Sequence, residues 1–227
     1  MCMVSKLRLA GALVLAVAIA AVLTSSADAG SKPSWMGSKH VQPTAYHWAT
    51  GLRPADTYDI TVLRGLTVRQ ALRRLGQVRK DLGAMTYQRA TDYALDRLDT
   101  SDYSTPTVVQ VSRLGHSVVV YEPVSDRGFF HSHKLTRHAS LASFITDVDL
   151  DTYVKVARDG SNVRRFDPSF RPPRAGALPE EHGLHFGEKG GNVFERSWAF
   201  IERITLTHVS RAWFDRAHPT YVLRWRT

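Results

Sequence analysis

Hydrophobic and polar positions follow a period of two in some segments and of about 3.6 in others, and the changes of period predict the elements. The segment Thr57–Arg64 alternates and is rich in β-branched and aromatic residues, which predicts a strand. A helix start follows, because Thr67 and Gln70 stand three positions apart as the N-cap and N3 residues of a capping box. The apolar stripe of this helix ends at Gly76, which is a natural C-terminal stop.

The remaining pattern predicts hairpins with helices before and after them. The other predicted strands are Thr107–Leu114, Ser117–Tyr121, Leu141–Val148, Thr152–Arg158 and Val163–Phe166, and the other predicted helices are Tyr87–Leu98 and Val193–Leu206. Leu141–Val148 also fits a helix, since short apolar runs are ambiguous. Two-residue turns are expected at Gly115-His116 and Asp159-Gly160.

The C-terminal part of the pattern is shorter and simpler. Ser210 is placed to cap a short turn that holds Trp213 and Phe214, and the alternating tail Thr220–Trp225 predicts an edge strand. Together these elements predict an α+β fold, with a largely antiparallel sheet built from hairpins and packed with N-terminal and C-terminal helices.

The first 29 residues have the three parts of a secretory signal peptide. Lys6 and Arg8 precede an unbroken apolar run of 15 residues, Leu9–Leu23, and Ala27-Asp28-Ala29 offers small residues at a cleavage site before Gly30. The alternative is an uncleaved membrane anchor, but a spanning helix needs roughly 20 apolar residues. We therefore expect cleavage and secretion, with the signal segment as the only membrane contact.

Domain organisation follows from this signal and from composition. Residues 30–51 are rich in Ser, Pro and Gly and read mostly as a linker, although Trp48 is a candidate for packing on the domain edge. Residues 52–227 form a single predicted domain. Within it, Asp167–Gly191 contains four prolines and five glycines and is expected to be a loop, either functional or mobile.

Cysteine content and charge narrow the function classes. The only cysteine, Cys2, lies in the signal peptide, which excludes disulfides, thiolate zinc sites and cysteine nucleophiles from the mature chain. The chain carries a net charge of +9, of which the mature part keeps about +8. A basic exported protein favours polyanions such as wall polymers, but scattered basic residues are also typical of a merely soluble surface, and we prefer that interpretation.

The order of several short motifs resembles an actinobacterial family known only as domain of unknown function 6461. The matching segments are Arg64-Gly65-Leu66-Thr67, Leu72–Gly76, Val118–Pro123, Asp159-Gly160, Phe166-Asp167-Pro168 and Ala199–Thr205. The resemblance covers roughly Thr57 to Thr227, so it is to a whole domain. It implies no activity, substrate or catalytic residue, and this chain departs from the intracellular pattern of the family by its signal peptide and linker.

Histidines are the main candidates for chemistry. His131 and His133 form an H-x-H pair that would face one side of a strand and share a metal, with His138 as a third ligand and Glu122 or Asp126 completing the site. The simpler interpretation is an exposed loop, because a zinc site needs three or four convergent ligands.

A second histidine pair and a set of carboxylates are weaker candidates. His182 and His185, with Glu181, would share a face only on a helix, which nearby glycine and proline disfavour. Glu122 and Glu202 could do acid–base work if they converged, whereas a solvated position or an ordinary ion pair is the more common outcome for these residues and for Arg203. Sequence patterns for a serine nucleophile or a phosphate loop are absent.

Three functions therefore remain open. The first is a secreted, non-catalytic binding or interaction domain that needs no cofactor, with an anionic cell-wall polymer or another extracellular protein as its partner. The second is a metal-dependent hydrolase that uses the H-x-H pair. The third is an electrostatic binder of extracellular or cell-wall polyanions. We favour the first, because the apolar pattern is complete and no catalytic motif accompanies it.

Overall fold

An eight-stranded antiparallel sheet is the framework of the domain. The computed structural model describes residues 41–52, 58–97, 106–147, 149 and 151–224. Its strands are β1 (Tyr58–Arg64), β2 (Gln77–Met85), β3 (Thr107–Leu114), β4 (Ser117–Pro123), β5 (Ser140–Thr146), β6 (Thr152–Arg158), β7 (Ser161–Phe166) and β8 (His218–Arg224). They lie in the order β2-β8-β3-β4-β1-β5-β6-β7, so β2 and β7 are the two ends of the sheet.

Helices cover both faces of this sheet. They are α1 (Val68–Leu75), α2 (Tyr87–Arg97), α3 (Arg127–Phe130), α4 (Ser132–Leu135), α5 (Val193–Thr205) and α6 (Arg211–Phe214), with 3₁₀ segments at Pro43–Gly51 and Pro179–Glu181. The larger core centres on Trp198 of α5 and takes in residues of α6 and of Pro43–Gly51. The smaller core lies on the opposite face, beneath α1 and Leu135 of α4. The α+β prediction is therefore confirmed.

Local signals placed several elements correctly. The capping box exists as predicted, because the Gln70 amide donates to Thr67 Oγ1 at 3.2 Å and the Thr67 amide donates to Gln70 Oε1 at 2.8 Å. Asp159 and Gly160 have φ angles of +47° and +82°, as the tight turn between β6 and β7 requires. The segment predicted at Leu141–Val148, which also fits a helix, corresponds to strand β5. Ser210 stands at the N-cap of α6, although its side chain makes no capping hydrogen bond.

The predicted linker is wrong over its last part. Residues 30–40 and the predicted signal peptide 1–29 lie outside the described residues, but Pro43–Gly51 packs against α5. Tyr46 is fully buried, lies 5.9 Å from the Trp198 ring, and donates from its hydroxyl to Glu202 Oε2 at 2.6 Å. The folded domain therefore begins before residue 52. The segment is too short and too rich in small and polar residues for its buried positions to show a period.

The C-terminal strand is also corrected. Thr220–Trp225 was expected at an edge, but β8 lies between β2 and β3. The edge strand beside it, β2, was missed because most of its side chains are exposed and it lacks an apolar alternation. No helix among the described residues combines the length and apolar character needed to cross a membrane.

Candidate functional site

The segment Asp167–Gly191 has almost no regular secondary structure, yet its backbone is fixed by a buried arginine of β7. The Arg164 guanidinium donates to Glu181 Oε1 and Oε2 at 2.8 and 2.9 Å. It also donates to the carbonyls of Ala175 at 2.9 Å and Pro173 at 2.8 Å. Arg164 is only 7% exposed. Because every contact uses the planar fork of the side chain, the guanidinium sets the positions of the residues it binds.

A second buried arginine holds the same segment from the side of α5. Arg203 is 2% exposed, and its Nη1 donates to the carbonyls of Glu180 and His182 at 3.0 and 2.7 Å. Its Nε and Nη2 donate to the carbonyl of Val41. Glu202, the neighbour of Arg203 in sequence, accepts the Tyr46 hydroxyl, and its Oε2 lies 2.9 Å from Nδ1 of His208, which is an ordinary polar contact of the kind expected for it.

Apolar packing and a close backbone approach complete the fixation. Phe186 is buried between Phe166 of β7 and Phe200 of α5, at ring-centroid distances of 4.9 and 6.0 Å. Gly187 has a φ angle of +72°, and a Cβ at this position would collide with the backbone of Arg171. The two ends of the segment thus cross where only glycine fits. We call residues 167–191, held in this way, the anchored loop.

The anchored loop borders a solvent-open cavity of about 540 Å³. Its apolar walls come from Pro172, Pro173, Ala177, Leu178, Pro179 and Phe186, and its polar lining comes from Arg171, Arg174, Glu181, His182, His185 and Glu188. We call this space the loop cavity. It has the volume of a typical small-molecule site, with apolar walls and a few polar groups.

Some charged groups around the loop cavity have an ion-pair or hydrogen-bond partner among the described residues, and others do not. Glu181 is taken up by Arg164, and Glu188 Oε1 lies 3.0 Å from Nδ1 of His185. Arg171 and Arg174 are exposed, and neither makes an ion pair with another described residue. Guanidinium groups without an ion-pair partner, at an opening with apolar walls, have the chemistry to bind an anionic group.

The predicted H-x-H metal site is not assembled as expected. His131 lies between the helical turns α3 and α4 and His133 lies on α4, rather than on a strand, and their ring centroids are 6.2 Å apart. His138 is exposed in a left-handed turn with a φ angle of +53°. Within the described ranges, no three His, Cys, Asp or Glu side chains converge as a metal site would require. Burial and the charges of Lys134, His133, Arg127 and Lys155 lower the pKa of His131, so the surroundings are already cationic.

The second histidine pair does not lie on a helix, as the nearby glycine and proline led us to expect. The 3₁₀ segment Pro179–Glu181 ends before His182, and His185 has a φ angle of +52°. Both histidines line the loop cavity. The expectation that no helix forms here is therefore confirmed, whereas the part of this pair in lining a cavity was not predicted.

A buried carboxylate pair lies on the opposite face of the sheet. Asp59 of β1 and Glu122 of β4 are direct cross-strand partners, and both are 0% exposed. Glu122 Oε1 accepts the Gly128 amide at 2.8 Å, and Asp59 Oδ2 accepts the Phe129 amide at 2.7 Å. These two carboxylates thus cap the short helix α3 from the sheet, a role its own N-cap residue, Asp126, does not fill.

Burial makes this pair harder to ionise. It raises the pKa of Asp59 to about 7 and that of Glu122 to about 8, and for Glu122 the neighbouring Asp59 charge raises the pKa further. Hydrogen bonds from Thr61 and Ser143 to Asp59 oppose the rise only in part. Sequence reasoning singled out Glu122 but missed Asp59, because an acid within an alternating strand looks like an ordinary solvent-facing position.

The arginine anchor gives a direct prediction for Arg164→Lys. A lysine keeps the charge but loses the fork, and each charge-assisted hydrogen bond contributes about 1.5–3 kcal/mol. Since about 1.4 kcal/mol changes an opening equilibrium tenfold, trypsin should cleave after Arg174 at least ten times faster than in wild type. Arg165→Lys is the matched control, because Arg165 stacks on Phe129 and Tyr153 away from the loop. Equal cleavage rates in the two variants would contradict the anchor.

The carboxylate pair gives a prediction for pH dependence. In the unfolded chain Glu122 loses its proton near the ordinary pKa of 4.5, but in the folded protein, where its pKa is raised, it keeps the proton to higher pH. The stabilisation is complete below that value and is lost as pH rises through about 8. Glu122→Gln, which mimics the protonated form, should therefore gain stability relative to wild type between pH 5 and 8 in urea unfolding. Glu188→Gln is the exposed control. If the free energy of unfolding of Glu122→Gln differs from that of wild type by the same amount at every pH from 5 to 8, the raised pKa of Glu122 is refuted.

Comparison with protein-family models, with curated proteins and with solved structures found no significant match in any of the three. The resemblance to family 6461 therefore stays a prediction, and the function has to be argued from the loop cavity and its surroundings.

Proposed function

We propose that this chain is a non-catalytic binding domain and that the loop cavity is its binding site. The ligand class is a small molecule or chain end with an anionic group and an apolar body. The observation that carries the proposal is the fixation of the anchored loop by Arg164 and Arg203, with Arg171 and Arg174 left uncommitted at the opening.

The fixed backbone matters because ordering a loop is costly. Fixing the backbone of one residue costs about 1–2 kcal/mol of conformational entropy. Because folding already orders an anchored loop, this cost does not reduce its affinity for a ligand. A long loop without regular structure is uncommon in a compact domain unless it has a function. An ordered loop around a cavity is therefore better explained by ligand binding than by a mere connection between β7 and α5.

The lining defines the ligand chemistry. A guanidinium group binds a carboxylate or a phosphate through two parallel hydrogen bonds, so Arg171 and Arg174 favour an anion with at least two oxygens. The walls of proline, leucine and phenylalanine favour an apolar body. A purely ionic polymer would use the arginines but leave these walls without contact.

The position of the acid pair supports binding over catalysis. A general acid or base must come within hydrogen-bond distance of its substrate. Asp59 and Glu122 are fully buried, and their oxygens accept hydrogen bonds from the protein itself. They act on α3, on the opposite face of the sheet from α5.

We also propose that the domain works outside the cell, after export and cleavage before Gly30. The support is the order of basic, apolar and small residues in the first 29 positions. N-terminal sequencing of protein recovered from the culture medium should begin at Gly30. Recovery of the chain from the cytosol with Met1 in place would contradict export, without affecting the binding proposal.

Ligand binding can be tested by amide chemical shifts on titration with 4-phenylbutyrate, benzyl phosphate and an N-acetylated dipeptide with a free carboxylate. At least one of these anions should shift the amides of the anchored loop, and the neutral 4-phenylbutyramide should bind much more weakly. Arg171→Gln with Arg174→Gln should raise the Kd at least tenfold, because both guanidinium groups that could bind the anion are lost.

The matched control is Arg89→Gln with Arg97→Gln, which removes the same charge from exposed positions of α2. This control should bind as wild type does. If no anion of the panel shifts loop amides, or if both double variants bind equally well, the loop cavity is not the binding site. Binding of a sulfated polysaccharide that responds equally to both double variants would instead favour a general electrostatic binder.

A further inference from the structure

A second cavity lies at the other end of the sheet from the anchored loop. It measures about 510 Å³ and is formed between α1, the start of β2 and β8. Val68, Leu72, Val78 and Tyr221 contribute its apolar lining, and Arg69, Arg73 and Gln77 contribute the polar part. We call it the edge groove.

The edge groove is strongly basic. Arg69 and Arg73 line it, and residues 68–81 also contain Arg74, Arg79 and Lys80 against one acid, Asp81. Arg74 is committed, since its Nη1 donates to the carbonyls of Leu135 and Arg137 at 2.7 Å each. Arg69 and Arg73, one helical turn apart, are exposed and make no ion pair with another described residue. The charge of the groove therefore calls for an acidic partner.

The strand beside the groove is open to pairing. β2 lies at the end of the sheet and pairs with β8, and no other described strand pairs with it. Its Val78 side chain is 44% exposed although it is apolar and lines the groove. A strand added to an exposed edge makes main-chain hydrogen bonds and places every second side chain on the same face. Here those side chains would lie beside Val78 and below α1.

We propose that the edge groove and the outer edge of β2 bind an extended segment of a partner protein that carries acidic and apolar side chains on one face. The acids pair with Arg69 and Arg73, the apolar side chains cover Val78 and Tyr221, and the backbone adds to β2. This is a second interaction surface, separate from the loop cavity and independent of the function proposed for it.

The chemistry favours this occupant over two others. A second copy of this chain would bring the net positive charge of β2, which carries Arg79 and Lys80 against the single acid Asp81, towards itself, and charged edge strands oppose such self-pairing. A nucleic acid or an anionic polysaccharide would satisfy the arginines but would leave the apolar lining and the strand edge unused. The register of β2 shifts between Val78 and Lys80 and again between Asp81 and Gly83, so an added strand would pair regularly at Gln77 and Val78, which line the groove.

The test is selection of binders from a displayed library of random nonapeptides on the purified protein. Selected peptides should be enriched in Asp or Glu together with Val, Ile or aromatic residues at every second position. Arg69→Glu with Arg73→Glu should weaken the best synthetic peptide at least tenfold, and added salt should weaken it too. Alternate N-methylation of the peptide should also weaken it, because this removes backbone donors.

Arg89→Glu with Arg97→Glu is the charge-matched control on α2, and Val78→Lys blocks the groove without changing α1. The control should bind the peptide as wild type does, and Val78→Lys should not. The proposal is overturned if selected peptides lack the acidic and apolar alternation, or if their binding survives the Arg69 and Arg73 changes in a protein that circular dichroism shows to be folded. It is also overturned if DNA or heparin binds this groove and the peptides do not.

Discussion

Two buried guanidinium groups, those of Arg164 and Arg203, hold the anchored loop against the sheet and α5. A stretch of 25 residues with almost no helix or strand has few internal partners for its backbone carbonyls, and unpaired buried carbonyls are costly. The two arginines supply donors to the carbonyls of Pro173, Ala175, Glu180 and His182. The shape of the loop cavity depends on these contacts, because its walls are built on the same backbone.

The sheet gives these arginines fixed positions. Arg164 lies on β7, the last strand of the sheet, and Arg203 lies on α5, whose Trp198 packs in the centre of the larger core. Arg203 also binds the carbonyl of Val41, so the N-terminal segment and the anchored loop are joined to one side chain. The sheet therefore carries a loop site at the β7 end and an exposed basic groove at the β2 end. Fixed scaffolds with functional loops at their margins are common in proteins.

Much of the fold was predictable because its signals are local. The capping box of Thr67 and Gln70 and the turn at Asp159-Gly160 each depend on a few adjacent residues, and both are present. The pairing of β2 was not predictable, since an exposed edge strand needs no apolar alternation. The burial of Tyr46 was not predicted either, because its partner Trp198 is distant in sequence and the segment is too short to show a hydrophobic period.

The candidate site was only partly predictable. The length and composition of Asp167–Gly191 indicated a functional or mobile loop, and His182 and His185 were noted, but for metal chemistry. The roles of Arg164 and Arg203 could not be predicted, because they mainly bind backbone carbonyls. Every residue has a carbonyl, so the residue types of the partners give no signal of these contacts. Asp59 was missed because its partnership with Glu122 exists only across paired strands.

The most direct test of the account is the backbone order of the anchored loop in the ligand-free protein. Amide ¹⁵N relaxation measures order parameters residue by residue, and the account predicts values of about 0.85 across residues 173–187, as in rigid backbone. Values below about 0.6 over this range are typical of flexible backbone and would contradict a preformed cavity.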